Sequence, residues 1–587
     1  MEIKQSMDRI KKVEKILANL KFSKNSRRTW EQKVKKLLEF RQGNQWNVQA
    51  MPAWMPKPVT NYIHLAITYH KAHLSITNPM PIVVAEHPQF EWAKDNFQHA
   101  IEHVWNKQDI RLTVRESIEQ ALIAGTAIVQ VTFDNTLYGG SPPIIDPVTG
   151  QVIFEGNLWQ GEVVVRPVPI LNFYPDPSAV ELENMQFVAI ETITSLDTVK
   201  SDPRYIEFLG ETNIKRLTKD NLSLSDALVL DEEQKTAMED ESSSTVIVYE
   251  YYERYRENGQ WKMDMYHVLG NVMLLHVEDV RPAQYPYAIL YDFRKPQSFY
   301  GMSIAELILD KQILLNKLEQ MIALIGLLAS SPQKEVLKAS NINPKEVALA
   351  GQMPNKVWVS AVANGIRNIE SPDIPQGLFK LIEDTKADIR EIAGLTEAFM
   401  GNAVGSLTTS SGVQSLINQS SIPDQDRSIE VDHFIKQIGK LMLEQMKYNY
   451  TEKRWFRYTD PTTGKMMYSN GVLADAIDTD LDIVMQAGAS SAITKDTLEN
   501  KARQLLELQG QYQFQPPVIT QDEVLEMLNI PANLLNKIKA RINKERQISM
   551  QQQAMLQGDN AQQVSPQPTI NQGMINSTNL EAMSRGK

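Results

Sequence analysis

The sequence predicts an α+β protein, mainly helical, built around more than one core. Three observations carry that expectation. Apolar residues recur at helical spacing near the N-terminus and over long stretches between residues 303 and 450. Period-two alternation, punctuated by Gly-containing turns, concentrates between Thr126 and Glu278. The chain has 587 residues, 42 % hydrophobic and 22 % charged, an ordinary globular composition with length for three or four domains.

Residues 1–41 read as one or two helices, with Ile10, Val13, Ile16, Leu17 and Leu20 at helical spacing. FRQGNQW, Phe40 to Trp46, and the Pro-broken MPAWMPKPV interrupt that pattern, which resumes over 60–79 and 90–123. From Thr126 onward AIVQVTFD alternates. QVIFEGNLWQGEVVVRPV and STVIVYEYYERYRENGQWKMDMYHVLGNVMLLHVE read as hairpins. Between them DEEQKTAMEDESSS, Asp231 to Ser244, is expected to be an exposed acidic loop. SIAELILDKQILLNKLEQMIALIGLLASS supplies the strongest helix, about 40 Å long over Ser303 to Ala329. Residues 331–376 form a compact Pro- and Asn-rich segment with one strand-like run, KVWVSAVA. A second helix is expected from Leu378 to Met400, and a third from near Pro423 to Tyr450, since Pro suits a first helical turn. WFRYTDPTTGKMMY reads as a hairpin, DLDIVMQAG as a strand, and 494–548 as helix with a capping box at Thr520 and Glu523. From Gln551 the chain is Gln-rich and is expected to be largely disordered.

Charge and motifs exclude several function classes. There is no cysteine, hence no disulfide, thiol nucleophile or Cys-ligated metal. The N-terminus is too charged for a secretory signal. The apolar run Met321 to Ser331 falls short of the ~18–20 residues of a membrane span, so a soluble protein is expected. Net charge is −11, yet residues 1–41 carry thirteen Lys/Arg against five Asp/Glu, leaving about −19 on the rest. The basic arm suits either nucleic acid or an acidic partner, or simply a helix with a solvated face. No phosphate-binding GxxxxGK[ST], no GxGxxG and no GxSxG is present. His99 and His103 share a helical face, but no HExxH accompanies them, and His70 and His73 are expected on a helix surface. Glu250 and Glu253 fit a wet strand face better than a catalytic pair. No enzyme is expected.

The order of short motifs then matters. RQGNQW (Arg41 to Trp46), AGTAIVQVTFD (Ala124 to Asp134), FYPDP (Phe173 to Pro177), FYGMS with its following helix, and GLTEAFMGN through IPDQDR succeed one another over roughly 35–500. In that succession the chain resembles the portal proteins of tailed bacteriophages, the podovirus-type portal family in particular. The resemblance implies a ring, usually a dodecamer, at one capsid vertex. It implies an N-terminal helical arm and wing (1–297), stem helices (298–330 and 377–400), a small α/β clip (331–376), a tunnel loop (401–421), a long wing helix with a β segment (422–489), a helical crown (490–548) and a Gln-rich tail (549–587). Genomic double-stranded DNA would be packaged and ejected through the ring. The large terminase, then head-to-tail adaptor and tail proteins, would dock on it, and major capsid and scaffolding proteins would surround it. No cofactor and no membrane are implied. The location would be the virion, after assembly in the host cytoplasm. The competing reading is a virion scaffold or tail adaptor without a channel.

Within that resemblance, the candidate tunnel-loop residues are Gly405, Ser406, Leu407, Thr408, Thr409, Ser410, Ser411 and Gly412. From Ala398 through Pro423 no residue is charged. A loop that DNA slides past must avoid fixed Lys–phosphate contacts, each of which adds affinity. Lys380, Lys386 and Arg390 are the candidate basic side chains facing DNA. Lys338, Lys345, Lys356 and Trp358 are the candidate clip residues for terminase and adaptor docking.

Overall fold

The structure is a computed structural model. It describes residues 6–47, 50–75, 80–141, 144–145, 152–154, 157–217, 245–350, 356–370, 373–395, 422–451, 454–459, 466–471 and 479–485. The chain divides into two compact units, Met1–Tyr458 with Tyr468–Asn500, and Thr459–Met467 with Lys501–Lys587. The architecture that follows is that of the first unit, a mixed α+β fold.

One helix, α1 (Met7–Gln42), accounts for the N-terminal periodicity. Ser6 caps its start, and Gly43 ends it at φ 96°, a left-handed cap that glycine adopts without steric cost. At about 1.5 Å per residue it spans roughly 54 Å. Val13, Ile16 and Leu20 enter one aromatic-rich core, whereas Leu37 and Phe40 enter the main one. Helices α2 (Tyr62–Leu74), α3 (Glu91–Lys107) and α4 (Ile110–Ala124) follow. The helical stretch expected at 90–123 holds two helices, because Asp109 takes φ 50° and breaks the α-ladder between α3 and α4.

Strand β1 (Ile82–Ala85) precedes α3. β2 (Thr126–Ser141), β3 (Ile144–Ile145), β4 (Val152–Phe154) and β5 (Asn157–Val168) follow α4. The expected hairpin within 151–168 is not formed. β5 instead runs antiparallel to β2 from Ile128↔Val168 to Ser141↔Asn157, and β3 pairs with β4 inside that pairing. β6 (Phe173–Pro175) and β7 (Phe187–Ser195) lead into short helices α5 (Leu196–Ser201), α6 (Pro203–Leu209) and α7 (Glu211–Ile214). β8 (Thr245–Glu257), β9 (Gln260–Leu269) and β10 (Val272–Val277) form the expected meander. Its first turn is Asn258-Gly259 with φ 51° and 81°, the signature of a tight two-residue hairpin. The resulting sheet has the order β10-β9-β8-β7-β6. β11 (Tyr287–Tyr291) joins β2 and β5 in a three-stranded sheet of order β11-β2-β5.

Helix α8 (Ile304–Ser330) is the expected long helix, capped by Ser303, whose Oγ accepts from the Glu306 amide at 3.0 Å. The insert that follows holds β12 (Lys334–Val336), α9 (Pro344–Ala350) and β13 (Ile366–Asn368). KVWVSAVA is not a strand: Val357 and Val359 are 80 % and 88 % exposed, and the two paired strands are β12 and β13. Helix α10 (Gln376–Ile392) packs along α8. It ends short of the expected Met400, since Gly394 turns the chain at φ 68°. Helix α11 (Ile422–Asn449) lies across β11 and β2. β14 (Arg454–Thr459) and β15 (Met466–Gly471) form the expected hairpin, and β16 (Leu481–Val484) pairs with β1. The acidic loop at 231–244, the segment 396–421 with every candidate tunnel-loop residue from Gly405 to Gly412, and the expected helices and tail beyond 485 lie outside the described residues.

Candidate functional site

The quoted motifs converge on the base of α8. Gly125, from AGTAIVQ, meets Gly301, from FYGMS. A Cβ on Gly125 would sit 2.5 Å from the Gly301 carbonyl oxygen, and one on Gly301 2.4 Å from that of Gly125. The contact is sealed by the Gly301 amide donating to Thr126 Oγ1 at 2.8 Å. Phe173 of FYPDP and Leu171 just before it supply carbonyls that accept from the buried Arg27 guanidinium of α1. Arg27 also lies 3.9 Å over the Tyr174 ring.

A polar ladder on α8 explains RQGNQW. Gln312, Asn316 and Gln320 recur every four residues, so they stack on one face. Asn316 donates to Gln45 Oε1 at 2.6 Å, and Gln312 donates to Asn316 Oδ1 at 2.9 Å and to the Thr60 carbonyl at 2.8 Å. Gln320 donates to the Pro56 carbonyl at 2.9 Å. The Pro-broken stretch is thereby strapped along the helix through the Pro56 and Thr60 carbonyls.

At the first residue of α8 sits a buried charged cluster. Arg427 of α11 donates from Nε to Asp292 Oδ1 at 2.6 Å and from Nη1 to Asp424 Oδ1 at 2.7 Å. Asp292 Oδ2 accepts from the Ile304 amide, the first of α8, at 2.6 Å. His70 is buried, not on a helix surface as expected. Its Nδ1 lies 2.9 Å from Asp424 Oδ1 and its Nε2 2.8 Å from the Ala393 carbonyl. His73 Nδ1 lies 2.9 Å from Asp424 Oδ2. Burial pushes the Asp424 carboxyl up, but hydrogen bonds from His70 and His73 and the Arg427 charge outweigh it and hold it well below the usual range. Burial pushes Asp292 up, and Arg427 and the Ile304 amide only partly oppose it.

The residues singled out in the sequence fall as follows. Lys386 pairs with Glu319 of α8 at 3.0 Å, and Lys311 of α8 with Asp388 of α10 at 2.6 Å, so two ion pairs cross between the helices. Arg390 is half-buried and its Nε faces the Lys386 carbonyl at 3.3 Å. Lys380 is exposed. In the insert, Lys338 and Lys345 are exposed, and Lys356 pairs with Glu346 at 2.9 Å while lying 5.1 Å over the half-buried Trp358 ring. Much of the basic arm is engaged internally: Lys12 and Lys15 bind Glu253, Lys33 binds Glu306, and Arg27 is buried. Glu253 is thus spoken for, and Glu250 accepts from Gln130 and Tyr252, so the two carboxylates do not act as a pair. His103 packs against Phe456, with ring centroids 6.2 Å apart. Asp292, Asp424 and Arg427 were not singled out as site residues. Arg427 and Asp424 did stand in the motif IPDQDR, at i, i+3 in a first helical turn, which was the available signal.

Helix α8 is more apolar than the run Met321 to Ser331 alone suggests. Its best 18-residue window has a mean hydropathy of 1.5, enough to cross a membrane by length and composition, and only 17 % of that window is buried. Its first half is nonetheless fixed in the protein core through Ile304, Ala305, Ile308, Leu309, Leu315 and Leu318. Its second half carries Met321 at 51 % and Leu327 at 41 % exposure, and the neighbouring α10 exposes Phe379 at 50 % and Leu381 at 44 %.

A family model described as Phage SU10 portal protein matches residues 145–584. No curated protein matches the chain.

Proposed function

The chain belongs to the phage SU10 portal protein family, and on that premise we propose that it forms a ring-shaped channel at one capsid vertex. Genomic DNA is packaged and ejected through that ring, which docks the large terminase and then the head-to-tail adaptor and tail proteins. In this reading 1–297 and 422–489 form the wing, 298–330 and 377–400 the stem, 331–376 the clip, 401–421 the tunnel loop and 490–548 the crown. The tail 549–587 follows the crown, and capsid and scaffolding proteins surround the ring in the virion.

The observation that carries the ring is the uncovered apolar surface of the α8–α10 pair. An apolar helix surface of this extent marks an interaction face. Neighbouring copies placed side by side would cover Met321, Leu327, Phe379 and Leu381, and likewise Leu349, Val357 and Val359 of the insert, which stand at 80–88 % exposure. The charge pattern suits a conduit for DNA. Lys311 and Lys386 face acids across the helix pair, so fewer cations remain to brake a phosphate backbone.

Native mass spectrometry with imaging of the full-length protein tests the reading. Twelve copies of 66.7 kDa weigh about 800 kDa. A ring of about that mass with a central hole is expected. A monomer or dimer at every salt concentration would overturn the channel.

A further inference from the structure

Residues 396–421 separate Leu395, just past α10, from Ile422, the first residue of α11. The described chain on each side of them is held by one side chain. His70 projects from α2 and is 1 % exposed. Its Nε2 meets the carbonyl oxygen of Ala393, the cap residue of α10, at 2.8 Å. Its Nδ1 meets Asp424, in the first turn of α11, at 2.9 Å. An imidazole has two polar atoms at opposite edges of a rigid ring, so it bridges two groups that no hydroxyl or amine could reach in one fixed geometry.

The chain on either side is shaped for that attachment. Gly394 turns left-handed at φ 68°, its amide donates to the Glu391 carbonyl at 3.0 Å, and the Leu395 amide donates to the Arg390 carbonyl at 2.8 Å. Leu395 is then buried at 2 % exposure. On the returning side Asp424 is gripped by His70, His73 and Arg427, and Arg427 passes the connection to Asp292 and so to the first amide of α8. The Arg427 Nη1 also lies 3.4 Å from His70 Nδ1. The Ala393 carbonyl and the Asp424 carboxylate are both acceptors, so the ring bridges them by donating from its two nitrogens.

We propose that His70 is a positioning residue that clasps both ends of the 396–421 segment to one point at the base of α8. The two ends then move only with α8, α10 and α11 together. The attachment itself does not depend on the channel reading; its consequence for DNA rests on that reading. If the segment is a tunnel loop, each copy presents it from one fixed root, and loosening the root weakens DNA retention while leaving ring assembly intact.

Hydrogen–deuterium exchange of the full-length protein, resolved by peptide, tests the clasp. In His70→Ala, amides of 389–395 and of 424–431 are expected to exchange faster together, by roughly tenfold, the scale of one or two lost buried hydrogen bonds. Peptides of the β8–β9 hairpin are expected to be unchanged. His70→Gln offers a single amide nitrogen to two acceptors, so it is expected to regain protection over 389–395 or over 424–431 but not over both. Acceleration of His70→Ala at one end only or at neither, or full protection at both ends in the Gln variant, would overturn the proposal. If the Ala variant does not fold, the Gln variant decides by the same readout. Native mass of the unmodified protein separates the two questions: a chain that never forms a ring removes the channel and leaves the two-ended exchange result standing.

Discussion

Asp292 and Asp424 share one guanidinium, and their surroundings drive them in opposite directions. Asp424 is held well below the usual carboxylate range despite its burial, because His70, His73 and Arg427 all favour its charged form. A depressed carboxyl stabilises the fold at pH values above its unfolded pKa, near ~3.9, and that stabilisation is lost as pH falls through the folded value. Asp292 is raised chiefly by burial, so acidification relieves rather than costs it. Asp424→Asn is therefore expected to destabilise by about 3 kcal/mol at neutral pH, the low end for breaking a buried pair. The difference from the unmodified protein should shrink below pH 4. Melting curves at pH 7 and pH 3 check this, and a difference that does not vary with pH refutes it. At the same scale, Gly125→Ala forces a Cβ to within 2.5 Å of the Gly301 carbonyl at a residue with φ 81°. Left-handed backbone costs roughly 1–2 kcal/mol and overpacking about 1–3 more. Chemical denaturation should show a loss of about 2–5 kcal/mol, and a neutral result would mean that the two motifs do not touch.

At the scale of elements, α8 separates interactions that matter from those that do not. Asn316→Ala strips Gln45 Oε1 of its buried donor and is expected to cost about 1–3 kcal/mol. Lys311→Ala removes a pair whose side chains are 40 % and 46 % exposed, and is expected to cost no more than about 1 kcal/mol. Denaturant titration of the two variants checks the order, and the reverse order would mean the ladder is not the strap. Local chemistry made much of this legible. The helix expected from Ser303 starts at Ile304, where the Ser303 side chain caps it, and the expected hairpin turns at Asn258-Gly259, because capping and turn residues act over three or four positions. What failed was non-local. KVWVSAVA alternates like a strand but has no strand partner among the described residues, and β5 found β2 instead of β4 because register is set by the sheet it joins. The motifs could be recognised as words, but not their meeting place. Thr126 and Gly301 touch across 175 positions of chain. His70 reads on its helix as a polar face, and only the return of α11 and the end of α10 make it a buried bridge.

For the whole molecule, the question is what covers the α8–α10 pair. A single chain leaves Met321, Leu327, Phe379 and Leu381 between 41 % and 51 % exposed, and nothing within the described residues shields them. A carboxylate introduced at Leu327 or Phe379 therefore costs an isolated chain little, within about 0.5 kcal/mol for a surface site. The same carboxylate between two copies loses its hydration without gaining a partner, which costs several kcal/mol at every junction. In a closed ring that penalty recurs once per copy, so assembly should fail well before folding does. The double variant Leu327→Glu, Phe379→Asp is expected to melt within 2–3 °C of the unmodified protein when both are compared as single chains, consistent with a shift below ~1 kcal/mol. It is also expected to remain monomeric at concentrations where, on the ring reading, the unmodified protein assembles. Two results would count against the reading, and for different reasons. A variant that still assembles at the unmodified mass would mean that the pair does not lie between copies. A variant that unfolds as a single chain would mean that Leu327 or Phe379 is a core residue of the subunit, contrary to its exposure.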